Sequence, residues 1–109
     1  MPLTIGEVFD QLPGRLRPEA ADGLERTLQW QLTDLDPGVW AVEIKDGVAR
    51  LIPGGVEEPD TTFTTTSEIW LAIAEGQQDA MKAFMAGKMK VEGDMTLALR
   101  VPELFDTEA

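Results

Sequence analysis

The sequence predicts an α+β fold: a five-stranded, mostly antiparallel sheet with helices covering one face. Three observations carry that expectation. Hydrophobic periods run in the order helix, four strands, two helices, strand, helix, so strand-rich and helix-rich sections are segregated rather than interleaved. Most of the strand runs alternate apolar with polar residues, the pattern of a sheet with one dry face and one wet face. The 109 residues are expected to form one domain, 1–109, long enough to bury roughly two thirds of the unfolded surface. Any space for a ligand then lies between helices and sheet.

The elements follow in order. Thr4 and Glu7 fit a capping box, and Ile5, Val8, Phe9 and Leu12 follow at helical spacing until Pro13-Gly14. Pro18 to Gly23 reads as one further helical turn. The period then changes to two. Thr27 to Thr33 alternates with Leu28, Trp30 and Leu32 inward, Asp34 to Gly38 is a turn, and Trp40 to Lys45 alternates again.

Asp46-Gly47 is the strongest hairpin signal in the chain. A two-residue turn there pairs Lys45 with Val48, Ile44 with Ala49, Glu43 with Arg50 and Val42 with Leu51. Val42, Ile44, Ala49 and Leu51 then share the buried face, and Glu43 meets Arg50 on the wet one. Pro53-Gly54-Gly55 ends the hairpin. After an acidic loop, Asp60 to Thr65 is a β-branched strand with Phe63 inward. Thr65 or Thr66 caps a helix carrying Ile69, Trp70, Ile73 and Ala74, which stops at Gly76. Asp79 caps the next helix, with Met81, Phe84 and Met85.

Ala80 to Val101 holds four of the five methionines. Gly87 suits a helix C-terminal cap, Lys88 to Glu92 alternates as a strand, Gly93 breaks it, and Asp94 caps a helix from Met95. Pro102 to Phe105 is a last turn whose Leu104 and Phe105 dock back. Met81, Met85, Met89 and Met95 sit on a helix, a strand and a helix. Methionine suits both core filling and sites that accept ligands of varied shape, and period alone leaves the two readings open.

Composition narrows the chemistry. Nine basic residues against twenty acidic ones leave a net charge of −11, a poor match for nucleic acid or an anionic membrane surface. There is no Cys, His or Tyr, and the lone serine is Ser67. A thiol nucleophile, a serine triad and the usual general base are therefore excluded. Glu57, Glu58 and Asp60 read as a solvated acidic loop without calcium-ligand spacing, and Gly54-Gly55 and Gly87 belong to no phosphate loop. No catalytic residue, metal or cofactor is expected. No apolar run has the length of a membrane span, and the C-terminal residues Asp106 to Ala109 are not a peroxisomal address, so a cytoplasmic location without stable membrane insertion is expected.

From Phe84 the chain reads Gly87-Lys88, Met89-Lys90-Val91, Gly93-Asp94-Met95, then Leu97, Ala98 and Leu99. This run resembles the C-terminal signature of the type-2 sterol carrier protein family. The Val42 to Gly47 hairpin and its spacing to the Thr-rich strand and the Glu68-Ile69-Trp70 helix are similar too. The resemblance implies an apolar tunnel between sheet and helices and a non-catalytic domain that binds fatty acids, fatty acyl groups or sterols. On that basis the lining residues are expected to be Trp30, Trp40, Phe63, Ile73, Met81, Phe84, Met85, Met89, Met95 and Leu99. The helix from Met95, with Leu104-Phe105, is expected to gate the tunnel, and Lys88, Gln77 and Gln78 are the candidates for holding a polar head. The alternative is an interaction or dimerisation module, with a homodimer as its candidate assembly, serving a separate enzyme.

Overall fold

The computed structural model describes residues 5–35, 38–74 and 77–105. The expected Thr4 cap, the Asp36-Pro37 part of the first turn, the Gly76 helix stop and residues 106–109 lie outside the described residues. Five strands, β1 (Arg26–Leu32), β2 (Val39–Lys45), β3 (Val48–Pro53), β4 (Thr61–Thr65) and β5 (Lys90–Gly93), form one sheet in the order β3-β2-β1-β4-β5. Among the described residues four helices accompany it: α1 (Ile5–Gln11), α2 (Ser67–Ala74), α3 (Ala80–Met85) and α4 (Met95–Leu104).

The β2–β3 hairpin has the register that its turn predicts, with Lys45, Ile44, Glu43 and Val42 opposite Val48, Ala49, Arg50 and Leu51. Asp46 and Gly47 both take positive φ, 55° and 75°, as a two-residue turn matched to strand twist requires. Glu43 and Arg50 form an ion pair at 3.3 Å on the exposed face. Three strand pairings are antiparallel, and β1 with β4 is parallel. The chain reaches that parallel position by crossing the outer face of the sheet after β3. The Gly54 N–H donates to Val39 O at 2.9 Å, the Val56 N–H to Gln29 Oε1 at 2.8 Å, and the Asp60 N–H to Thr27 O at 2.9 Å. Asp60 is thus more than a solvated loop carboxylate: its Oδ2 accepts the Thr27 N–H at 2.7 Å and holds the entry to β4 against β1.

The helices cover the other face. Phe9 of α1 stacks on Trp40 at 4.6 Å and on Trp70 at 5.7 Å, and packs edge-on to Trp30 at 5.8 Å. Pro13-Gly14 does not stop the chain after α1; a 3-10 turn, Leu12–Arg15, carries it onward. Proline suits that position because its missing N–H would have no helical acceptor there. Pro18 to Gly23 forms successive backbone turns instead of a helix, with the N–H groups of Ala20 and Ala21 donating to Arg17 O.

The expected caps form. Thr66 Oγ1 accepts from Ile69 N at 3.3 Å, Asp79 Oδ1 from Met81 N at 2.8 Å, and Asp94 Oδ1 from Leu97 N at 3.1 Å. Two buried threonines of β4 clamp both ends of the β5 segment. Thr65 Oγ1 donates to Lys88 O and Thr61 Oγ1 to Asp94 O, each at 2.8 Å. Leu104 and Phe105 are fully buried. The Arg17 N–H donates to Leu104 O at 2.7 Å, Phe105 bridges Leu16, and Arg100 donates to Ala20 O at 2.8 Å. The end of α4 is therefore an anchor, and the expected gating role of Leu104-Phe105 is corrected: residues this buried and bonded are not the easily displaced part of the chain.

Candidate functional site: an apolar cavity over the β4–β5 end of the sheet

The sheet register builds the floor of a cavity. Trp40, Trp30, Phe63 and Val91 are successive partners across β2, β1, β4 and β5, so they form one row on the inner face. Phe9 covers the Trp40 end of that row. Trp30, Phe63 and Val91 instead lie beneath α3 and α4, where a cavity of about 210 Å³ remains. Trp30 and Phe63 stack at 5.4 Å and Trp70 tilts against Trp30 at 5.1 Å, giving the floor a rigid aromatic surface.

Eight of the ten expected residues line this cavity: Trp30, Phe63, Ile73, Met81, Phe84, Met89, Met95 and Leu99. Trp30, Phe63, Ile73 and Met89 are buried, whereas Met81, Met95 and Leu99 are exposed by 42, 41 and 54% and form a rim open to solvent. Two expected residues lie elsewhere. Trp40 is outside the lining because α1 fills the space above it. Met85 is also outside and 77% exposed. Helix α3 buries Ala83, and Met85 sits two positions on, about 200° around the helix. Gln77, Gln78 and Lys88, the expected head-group candidates, are likewise not in the wall; Gln78 Nε2 donates to Asp79 O at 3.1 Å.

Six wall residues were not anticipated: Trp70, Asp79, Ala80, Val91, Ala98 and Val101. Two signals in the sequence point to some of them. Val91 is two residues from Met89 in a strand and shares its face. Ala98 and Val101 follow Met95 at helical spacing. The small Ala80 and Ala98 leave the open volume between α3, α4 and the floor. Among the described residues Asp79 supplies the only ionisable side chain in the wall, and its Oδ1 is engaged by the first N–H groups of α3. The cavity therefore offers apolar transfer and little else. Among the described residues no three carboxylates converge to hold a metal ion, and no described helix is long and apolar enough to cross a membrane.

The model of the SCP-2 sterol transfer family matches residues 7–106. The peroxisomal multifunctional enzyme A of Dictyostelium discoideum is 27% identical over 104 residues, 91% of this chain and 24% of that protein. The chain thus spans about a quarter of that relative's length. Among solved structures, a stereoselective inverting sec-alkylsulfatase from Pseudomonas sp. superposes with a TM-score of 0.83 at 28% identity, over 95% of this chain and 16% of that one. Sterol carrier protein 2 from Aedes aegypti, in complex with the C16 fatty acid palmitate, superposes with a TM-score of 0.66 at 25% identity, over 94% of this chain and 96% of that one.

Proposed function

We propose that this chain, which belongs to the SCP-2 sterol transfer family, binds the apolar chain of a lipid in the cavity between the β4–β5 floor and helices α3 and α4, as a non-catalytic cytoplasmic carrier or accessory domain. The observation that carries the reading is the wall itself: among the described residues that line it only Asp79 is ionisable, and the rest are apolar apart from the indole N–H groups of Trp30 and Trp70. Burying methylenes there is worth roughly 0.8 kcal/mol each. The palmitate complex of the Aedes aegypti relative supports the same ligand class.

Size favours a slender chain. About 210 Å³ is below the roughly 300–1,000 Å³ of pockets that take drug-sized ligands. An acyl chain threads such a space, whereas a fused ring system must push α3 or α4 aside. The exposed Met81, Met95 and Leu99 form the mouth, and a tunnel in the family sense arises if the chain runs from this mouth along Trp30, Phe63 and Val91.

Native mass spectrometry with added palmitate tests the reading. One palmitate per chain is the expected result. Ala98→Phe, which fills the space between α4 and the floor, abolishes uptake, and Met85→Glu, outside the wall, leaves it unchanged. A protein that takes up neither palmitate, palmitoyl-coenzyme A nor cholesterol overturns the proposal.

A further inference from the structure

Sulfur is distributed unevenly around the cavity. The chain has no Cys, so methionine is its only sulfur, and four of its five methionines fall within residues 81–95. The fold sorts these four into three classes. Met81 on α3 and Met95 on α4 belong to the cavity wall and are also 42 and 41% exposed. Met85 is 77% exposed and outside the wall, whereas Met89 is in the wall and only 6% exposed. A leucine at the rim would supply similar apolar surface. A thioether adds a reactivity that leucine lacks: its sulfur is oxidised by peroxides, and the sulfoxide product is polar.

Resting on the lipid-binding reading above, we propose that Met81 and Met95 form a paired oxidation site at the mouth, open to peroxide in the empty protein, shielded by a bound chain, and opposed to lipid uptake once modified. The step is a two-electron oxygen transfer. A sulfur lone pair attacks one oxygen of hydrogen peroxide, the O–O bond breaks as the S–O bond forms, and the second oxygen leaves as water with both hydrogens. Sulfur is oxidised and the peroxide reduced, so no further reactant is needed. Selectivity follows from exposure: peroxide reaches Met81, Met85 and Met95, and packing keeps it from Met89. The consequence follows from position. An acyl chain entering past the rim strips water from the side chains that line it, and taking a sulfoxide oxygen out of water without a new donor is unfavourable. Met81 and Met95 line the cavity and Met85 does not, so only the first two couple oxidation to binding. The chain in turn covers the same two thioethers, so occupancy and oxidation oppose each other.

The experiment treats the full chain with hydrogen peroxide, without and with palmitate, which is saturated and inert to it. Lys82, Lys88 and Lys90 place the four methionines on separate tryptic peptides, so mass spectrometry reads each sulfoxide by itself. The expected pattern is oxidation of Met81, Met85 and Met95 in the lipid-free protein, with Met89 spared, and protection of Met81 and Met95 but not Met85 by palmitate. The oxidised protein keeps its circular dichroism spectrum and binds palmitate about tenfold more weakly. Met81→Leu combined with Met95→Leu abolishes the peroxide effect, measured as the ratio of affinities before and after treatment, and Met85→Leu leaves that ratio as in the wild type. If the double variant does not fold, the protection pattern of the wild-type chain decides. Equal protection at Met85, no protection at Met81 and Met95, full palmitate affinity with both oxidised, or loss of the fold on oxidation overturns the proposal while leaving lipid binding intact. Untreated protein that takes up no palmitate sinks the lipid-binding reading, and this proposal with it.

Discussion

The Asp34 carboxylate holds both hydrogens that Ser67 offers: the Ser67 N–H donates to Oδ1 at 2.8 Å, and the hydroxyl donates to Oδ2. These bonds tie the turn after β1 to the first residue of α2, the helix that carries Trp70 into the cavity wall. The Ser67 hydroxyl, followed by the Ser67 N–H, holds the Asp34 carboxyl below its ordinary value of 3.8. A depressed pKa in the folded state means that the unfolded chain binds the proton more readily. The contribution is thus fully present above the ordinary value and is lost as pH falls below it through the folded-state pKa. Asp34→Asn cannot titrate. The expected outcome is that the wild-type protein melts higher than Asp34→Asn at neutral pH and that the gap narrows below about pH 4. Thermal melts of both proteins from pH 7 to pH 3 check it, and a gap that stays constant removes the linkage.

Gly93 and Gly87 separate backbone strain from steric clash. Both take positive φ, 96° and 76°. A Cβ at Gly93 would stand 2.3 Å from Asp60 O, whereas one at Gly87 meets nothing within 4 Å. Gly87→Ala is expected to cost about 1 kcal/mol, the penalty of a left-handed conformation alone. Gly93→Ala is expected to cost roughly 3 kcal/mol, because β5 must also move away from the start of β4. Urea unfolding midpoints compare the two; equal losses would contradict the clash.

Phe105 distinguishes an anchor from a gate. At 1% exposure, and bridged to Leu16, it behaves as core. Phe105→Ala is expected to destabilise the protein by about 3–4 kcal/mol. Denaturant unfolding gives that value directly. A loss under 1 kcal/mol, with faster release of bound palmitate, would restore a gating role to this end of α4.

How much of this was legible in the residues depends on sequence distance. The Asp46-Gly47 turn sets the β2–β3 register because the paired residues are neighbours and both turn residues accept positive φ. Asp79 and Asp94 cap their helices through bonds two or three residues away. Met81, Phe84, Met89, Met95 and Leu99 converge because the helix, strand and helix that carry them follow one another along the chain.

Trp40 and Met85 show where that legibility ends. The alternation of β2 puts Trp40 on the inner face, but no local pattern says that Phe9, far earlier in the chain, will cover it. The helical run containing Met81 and Phe84 includes Met85, but the side of α3 that meets the sheet depends on how the helix is docked. The parallel pairing of β4 with β1 is equally invisible, since an alternating strand has the same pattern whichever neighbour it joins.

By itself, then, the sequence determined the α+β class, the hairpin register, the helix caps and the absence of His and Cys chemistry, because each follows from near neighbours or from composition. Only the tertiary structure decided that β4 lies beside β1, and that the cavity opens over Phe63 and Val91 while Phe9 closes the Trp40 end. Those are properties of space between residues far apart in the chain, and packing, not periodicity, determines what that space contains.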